Sequence, residues 1–394
     1  MNTIFDKKTN QDAVKILTLG HFLVDCYTNF MSAILPFIAS NIRISLALAG
    51  TVISISHLLS SVFQPVFGFI ADGIKKRFFV FWGILLCSIF FPLTGIVTNY
   101  WQLLLFMVLG SIGNGFFHPQ ATGFVNYFSP KDISKNMALF IAMGTIGFSV
   151  GPLVSSSVAQ WFSLRALPFV SVFGILVAIS ILIFIPKISS IPEIHPEPVV
   201  PFKEATKMIF SNKVMRILIL ISMLKSLILQ SYCIFLPFLW KSLGYSVSQI
   251  GLAIFSFSFL GGIGTYLSSK IERKIGTKKV FYIAMMSVMP LTFAFVFSYT
   301  RVPALSFLIF GIVGFVNMLS TSVNMSMAQN TMKAYKSMVS GYIGGFSWGV
   351  VGVLFALVSM VAQKFGILNI LMLVSIVPFV FSYLVKYLPE KEEV

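Results

Sequence analysis

The amino-acid sequence predicts an all-α membrane protein with twelve transmembrane helices in two pseudosymmetric six-helix bundles. Three observations predict it. The first is composition. The 394 residues are 57% hydrophobic and only 10% charged, with a mean hydropathy of +0.92, whereas soluble domains carry about 25% charged residues. The second is run length, because apolar stretches repeatedly reach the ~20 residues that cross a bilayer. The third is an internal repeat. Adding 201 carries Pro36-Phe37 onto Pro237-Phe238, Gly50 onto Gly251, Gly110 onto Gly311, Gly113 onto Gly314, Gly144 onto Gly345 and Gly151 onto Gly352. One constant offset across five spans is a duplication. Halves related in this way, with a site at their interface near mid-bilayer, form a transporter architecture.

The spans read, in order, 15–40, 46–71, 78–98, 101–128, 136–159, 165–186, 214–240, 247–269, 279–299, 302–329, 337–361 and 366–388. The longest gap, 187–213, holds Pro192, Pro196, Pro198 and Pro201 among mixed charges and reads as a polar linker. The expected domains are therefore an N-terminal bundle over 1–186, a cytoplasmic linker over 187–213 and a C-terminal bundle over 214–394. The start has no cleavable signal pattern, so the first span is expected to be kept.

Net charge is +16, but the charges sit in short gaps between apolar runs, which argues against a nucleic-acid surface. Lys and Arg crowd the termini and alternate loops. The opposite loops carry only Arg43, Arg165, Lys241, Arg301 and Lys364. The positive-inside rule then places both termini in the cytoplasm. Cys26, Cys87 and Cys233 are far apart in apolar runs, so they read as packing residues without disulfide or metal-ligand spacing. The Gly345-Phe-Ser347-Trp-Gly349 stretch fits a hydrolase elbow but lies inside an apolar span, where that motif lacks its strand–turn–helix setting. No Gly-rich phosphate loop is present, so ATP does not supply the energy. The cofactor expectation is none, with energy from an ion gradient or from the substrate's own gradient.

Ionisable residues inside spans are functional-site candidates. His21, Asp25 and Asn29 step by four in the first span and so share one helix face. Asn114, His118, Thr122 and Asn126 form a second such stripe in the fourth. Asp25 is the lone acid in the interior of any expected span, and Lys225 the lone lysine. Lys225 falls at the repeat position of Val24, next to Asp25. Asp25 is the expected proton-coupling acid, with His21, His118 and His57 as histidines able to titrate near neutral pH. The expected substrate-binding set is Asn29, Asn114, Gln120, Lys225, Gln230, Tyr232, Asn317 and Thr321, and Asn324 belongs to the same polar wall.

After the second span comes Gly68-Phe-Ile-Ala-Asp72-Gly-Ile-Lys-Lys76-Arg77. It resembles the signature loop of the major facilitator superfamily, with Lys75 where a second glycine is expected. Asp72, at a cytoplasmic helix end, can latch one conformation by accepting hydrogen bonds from a helix N-terminus or from loop Lys and Arg. In the fifth span, Gly147 and Gly151 form a small-xxx-small face and are followed by Pro152. This is similar to the Gly-Pro motif of drug:proton antiporters. With the His-Phe-Leu-Val-Asp element and His118-Pro119, the pattern resembles the fosmidomycin-resistance branch of the superfamily, although Gln120 replaces the acid expected after His-Pro.

The resemblance implies a bacterial cytoplasmic-membrane transporter, monomeric by default, that exports a small molecule in exchange for protons by alternating access. Two alternatives stand beside it: a proton symporter or uniporter for uptake, and a non-transporting receptor or assembly protein on the same scaffold. The partners expected are a small-molecule substrate, protons and the bilayer. An enzyme is not expected, because no metal or nucleophile constellation is present.

Overall fold

A computed structural model of the chain describes residues 7–62, 67, 77–129, 133–185, 202–332 and 336–390. These are helical throughout, with no strand among them. Among the described residues, eleven helices are long and apolar enough to cross a membrane, and Leu46–Val62 is a shorter apolar one. Each overlaps an expected span, but the first begins at Lys8 instead of 15 and the described part of the second ends at Val62 instead of 71.

The first span is two helices, α1 (Lys7–Thr28) and α2 (Met31–Asn41). The ladder is interrupted between them, where the Phe30 amide donates to the Tyr27 carbonyl, three residues back. The Ser32 hydroxyl donates to the Asn29 carbonyl in the same turn. Next come α3 (Leu46–His57), ending in a π-helical turn at Leu58–Val62, then α4 (Phe78–Leu93), α5 (Tyr100–Tyr127), α6 (Ile133–Phe162) and α7 (Ser171–Phe184). The second half holds α8 (Phe202–Ser211), α9 (Lys213–Ser242), α10 (Val247–Ile275), α11 (Thr277–Met286) and α12 (Val288–Ser298). It ends with α13 (Pro303–Met318), α14 (Thr321–Thr331), α15 (Lys336–Gly341), α16 (Ser347–Phe365) and α17 (Ile367–Phe381).

The chain divides into two compact units. One is Met1–Pro192 with Pro237–Phe255, and the other is Glu193–Leu236 with Ser256–Val394. Two details depart from the sequence reading. Residues 202–211, expected within the linker, form α8. Its Thr206 hydroxyl hydrogen-bonds the Tyr342 hydroxyl at 2.8 Å, Ile209 is fully buried, and the Phe210 ring packs edge-on to Tyr342. The segment 237–255, which chain order assigns to the second bundle, groups with the first. A Cβ at Gly251 would overlap the Ser156 side chain, and the Lys241 ammonium sits 5.4 Å from the Phe37 ring.

Within the first unit, α1 packs along α6, and α4 along α5. A Cβ at Gly147 would overlap the Phe22 carbonyl, and one at Gly151 the Cys26 carbonyl, so these glycines bring the α6 and α1 backbones into contact. Buried Tyr27 ties α7 to this pair by donating to the Val170 carbonyl at 2.8 Å and accepting from the Gly174 amide. In the second unit the core includes a stack of Tyr232, Phe257 and Phe310. Side chains such as Phe173, Ile183 and Leu357 point outward. That suits lipid, where apolar exposure carries no cost and all backbone bonding is internal to the helix.

Candidate functional site

The first unit joins α1, α5 and α6 around Asp25. His21 lies one turn before it on α1, and its Nε2 is 3.3 Å from Asp25 Oδ2. His118 arrives from α5, with its Nε2 3.3 Å from Asp25 Oδ1. The His21 ring stacks on Phe140 of α6 at 4.0 Å between centroids, and its Nδ1 is 2.7 Å from the Phe140 carbonyl oxygen. Gly144 keeps the site open, because a Cβ there would overlap the His21 ring and lie 2.7 Å from Asp25 Oδ2.

This geometry constrains where protons sit. A carbonyl oxygen only accepts, so His21 Nδ1 carries a hydrogen. His21 Nε2 can then face a carboxylate oxygen favourably only with a proton between them, as imidazolium–carboxylate or as imidazole–carboxylic acid. The His21–Asp25 pair therefore holds one proton more than a neutral imidazole beside a bare carboxylate. His118 offers a second nitrogen to the other oxygen, so the cluster can pass a proton without moving its backbone. The ligating atoms of His21, Asp25 and His118 also lie within 4.8 Å of one another, a grouping of two imidazoles and a carboxylate that is able to hold a divalent cation.

The stripe of His21, Asp25 and Asn29 faces α6 in register. Asn29 Nδ2 donates to the Phe148 carbonyl at 2.7 Å, at the same 119-residue separation as His21 and Phe140. The cause is Pro152. Proline has no N–H, so it leaves the carbonyl four residues earlier without a helical donor, and that carbonyl belongs to Phe148. Asn29 supplies the missing hydrogen bond. The Ser155 hydroxyl, one turn on, is 3.1 Å from the Phe30 carbonyl.

A second cluster lies in the second unit. Lys225 of α9 is buried, and its ammonium donates to Thr321 Oγ1 on α14 at 2.6 Å. Asn317 Nδ2 donates to the Lys225 carbonyl at 3.2 Å, and Asn324 Nδ2 to Ser222 Oγ at 2.7 Å. All of these but Asn317 border a cavity of about 100 Å³, whose walls include Ser222, Lys225, Ser226, Thr321, Asn324 and Trp348. Ser222, Ser226 and Trp348 were not read from the sequence. The repeat offset was the available signal for two of them, since Ser222 and Ser226 fall at the repeat positions of His21 and Asp25.

The other expected residues sit elsewhere. Gln120 Oε1 accepts from the Val80 amide on α4 at 2.8 Å. The Tyr232 hydroxyl pairs with Thr292 Oγ1 inside the aromatic core. Gln230 Nε2 is 3.3 Å from the Trp348 carbonyl, and the buried Gln230 Oε1 and Asn114 Oδ1 have no hydrogen-bond partner among the described residues. His57 ends α3, half-buried. Gly68, Asp72 and Lys76 lie outside the described residues, while Arg77 donates to the Ile185 carbonyl. Ser347, of the elbow-like stretch, is fully buried and donates to the Tyr342 carbonyl at 2.8 Å.

Residues 17–356 match the family model described as Major Facilitator Superfamily. This chain belongs to that superfamily. Its members are transporters, and the chain is a multi-pass membrane transporter and not an enzyme. Among superfamily relatives, the fosmidomycin resistance protein of Escherichia coli (strain K12) is 24% identical over 97% of this chain and 94% of that protein. The multi-drug resistance efflux pump PmrA of Streptococcus pneumoniae is 24% identical over 70% of each. The fold matches a bacterial homologue of the human lysosomal transporter Spinster, in its inward-facing and occupied conformation. The TM-score is 0.78 at 15% identity, covering 98% of both chains. It also matches a D-xylose–proton symporter, with TM-score 0.73 at 15% identity over 97% and 98% of the two chains.

Proposed function

We propose that this chain is a proton-coupled exporter of a small molecule, working by alternating access as a monomer in a bacterial cytoplasmic membrane. The observation that carries the reading is Asp25 held between two imidazoles, one of them locked by Phe140 into a state that requires a shared proton. Asp25 is the coupling acid, and His21 and His118 hand the proton on. Proton entry favours reopening inward, and substrate binding favours proton release. No nucleotide is used. The direction of transport is supported by the relatives named for fosmidomycin resistance and multidrug efflux. Cytoplasmic termini are supported by the crowding of Lys and Arg on one side of the spans.

The test is flux in proteoliposomes under an imposed pH gradient. Asp25→Asn keeps the shape and one hydrogen-bonding oxygen but cannot ionise. Gradient-driven flux is expected to fall by about 100-fold, within the range for loss of a proton-transfer group. Substrate exchange without a gradient is expected to continue. Full gradient-driven flux in Asp25→Asn would sink the reading.

A further inference from the structure

We infer that the cavity beside Lys225 binds the oxyanion head of a small anionic molecule. This deepens the transport reading by naming the charge class of the substrate, and it rests on that reading for its role in transport.

An ammonium has three hydrogens to donate. One of those on Lys225 goes to Thr321 Oγ1. None of the ion pairs formed among the described residues includes Lys225. The sequence explains why. The acids of the second half are Glu193, Glu197, Glu204, Glu272, Glu390, Glu392 and Glu393, all near helix ends or in connections. The half that buries the lysine has no carboxylate inside a span to neutralise it. A buried charge without a partner is costly, and an incoming anion offsets that cost.

The walls suit an anion. Ser222 Oγ already accepts from Asn324 Nδ2, which leaves its own hydrogen free to donate into the cavity. Ser226 adds a second hydroxyl, and the Lys225 ammonium supplies the charge. A ligand cation would meet Lys225 head-on. About 100 Å³ is less than the roughly 150 Å³ cavity that accepts benzene, so the space holds a carboxylate- or phosphonate-sized head and not a whole drug-sized molecule.

The experiment uses the purified full-length chain in detergent. Propionate and methylphosphonate are titrated against propionamide and propylammonium, with Trp fluorescence and thermal midpoint as readouts. Both anions are expected to bind at least about tenfold more tightly than their neutral and cationic counterparts, the tenfold step being one charged hydrogen bond. Lys225→Gln is expected to remove that preference and Lys225→Arg to keep it within about threefold. In wild type, propionate but not propionamide is expected to protect Lys225 from acylation, read by mass spectrometry, which serves even where Lys225→Gln does not fold. Equal binding of propionate and propionamide, or an unchanged preference in Lys225→Gln, would overturn the proposal. Asp25→Asn is expected to keep the preference for propionate over propionamide, whatever its overall affinity, because linkage to the proton acts on both alike. Loss of gradient-driven flux with a retained anion preference therefore separates the proton reading from this one.

Discussion

The two halves build their polar clusters on corresponding helices but finish them differently. In the first half His21, Asp25 and Asn29 share one face of α1 and meet α6 at Phe140, Gly144 and Phe148. In the second, the repeat positions are Ser222, Ser226 and Gln230 on α9. The charge has moved one residue, to Lys225, about 100° round a helix of 3.6 residues per turn. It meets α14 at Thr321, while Gln230 still turns to the corresponding helix, as Asn29 does, and reaches the Trp348 carbonyl, one residue before the repeat position of Phe148. A one-residue shift in a duplicated helix converts a self-satisfied proton cluster into a cation with spare donors beside a cavity. Duplication preserved the packing contact and left the adjacent position free to take a new charge.

Substitutions at matched positions test that contrast. The largest effect is expected from His21→Gln, which keeps polarity but removes the ring that bridges Phe140 and Asp25. Maximal gradient-driven flux should fall by about 100-fold, while Ser222→Ala at the repeat position, which removes one donor from the cavity, should raise the KM and leave maximal flux within about threefold. If both lose flux equally, the halves do not divide the work as described. Next is Gly144→Ala. Its Cβ overlaps the His21 ring, so thermal unfolding in detergent should show about 1–3 kcal/mol of destabilisation. Gly344→Ala, on the wall of the Lys225 cavity, has nothing within 4 Å of its new methyl and should stay within about 0.5 kcal/mol.

A smaller difference should separate Asn29→Ala from Gln230→Ala. The first leaves the Phe148 carbonyl without a donor because of Pro152, costing about 1–3 kcal/mol. The second loses a longer bond to a carbonyl that has no proline four residues on, where Gly352 stands, and should cost about 1 kcal/mol. Restoring ordinary helix bonding with Pro152→Ala should shrink the Asn29→Ala effect, a coupling that a double-mutant cycle reads directly. A change as small as that of Gln230→Ala is expected from Thr321→Val. It removes the oxygen that holds Lys225, which can still turn toward the cavity, so stability should fall by about 1 kcal/mol, with Thr321→Ser near wild type.

Much of the fold was legible because spanning a bilayer is a local requirement. Length and hydropathy decide a span residue by residue, so every helix long enough to cross a bilayer overlaps an expected segment, while the edges, such as Lys8 at the first, are set less closely. Asp25 and Lys225 were legible for the same reason, as charges in apolar runs. The break at Asn29–Phe30 was not, since Pro36 lies six residues further on and hydropathy does not register a change in hydrogen bonding. Helix α8 was hidden by the prolines and charges just before it. Its stability comes from packing Ile209 and Phe210 into a distant core, a contact with no local signature.

Composition, run length and the 201-residue repeat were enough to give a duplicated bundle of membrane helices with one carboxylate and one lysine inside it. Periodicity also placed His21, Asp25 and Asn29 on one face, because side-chain direction along a helix follows from the backbone alone. Only the tertiary structure decided what that face meets. It brought His118 to Asp25 across 93 residues of chain, used Gln120 to hold the Val80 amide, and matched Asn29 to the carbonyl freed by Pro152. The physical reason is that hydrogen-bond partners are assigned by helix packing and register. Those depend on close approaches such as Gly144, Gly147 and Gly151 against α1, which are properties of two helices together.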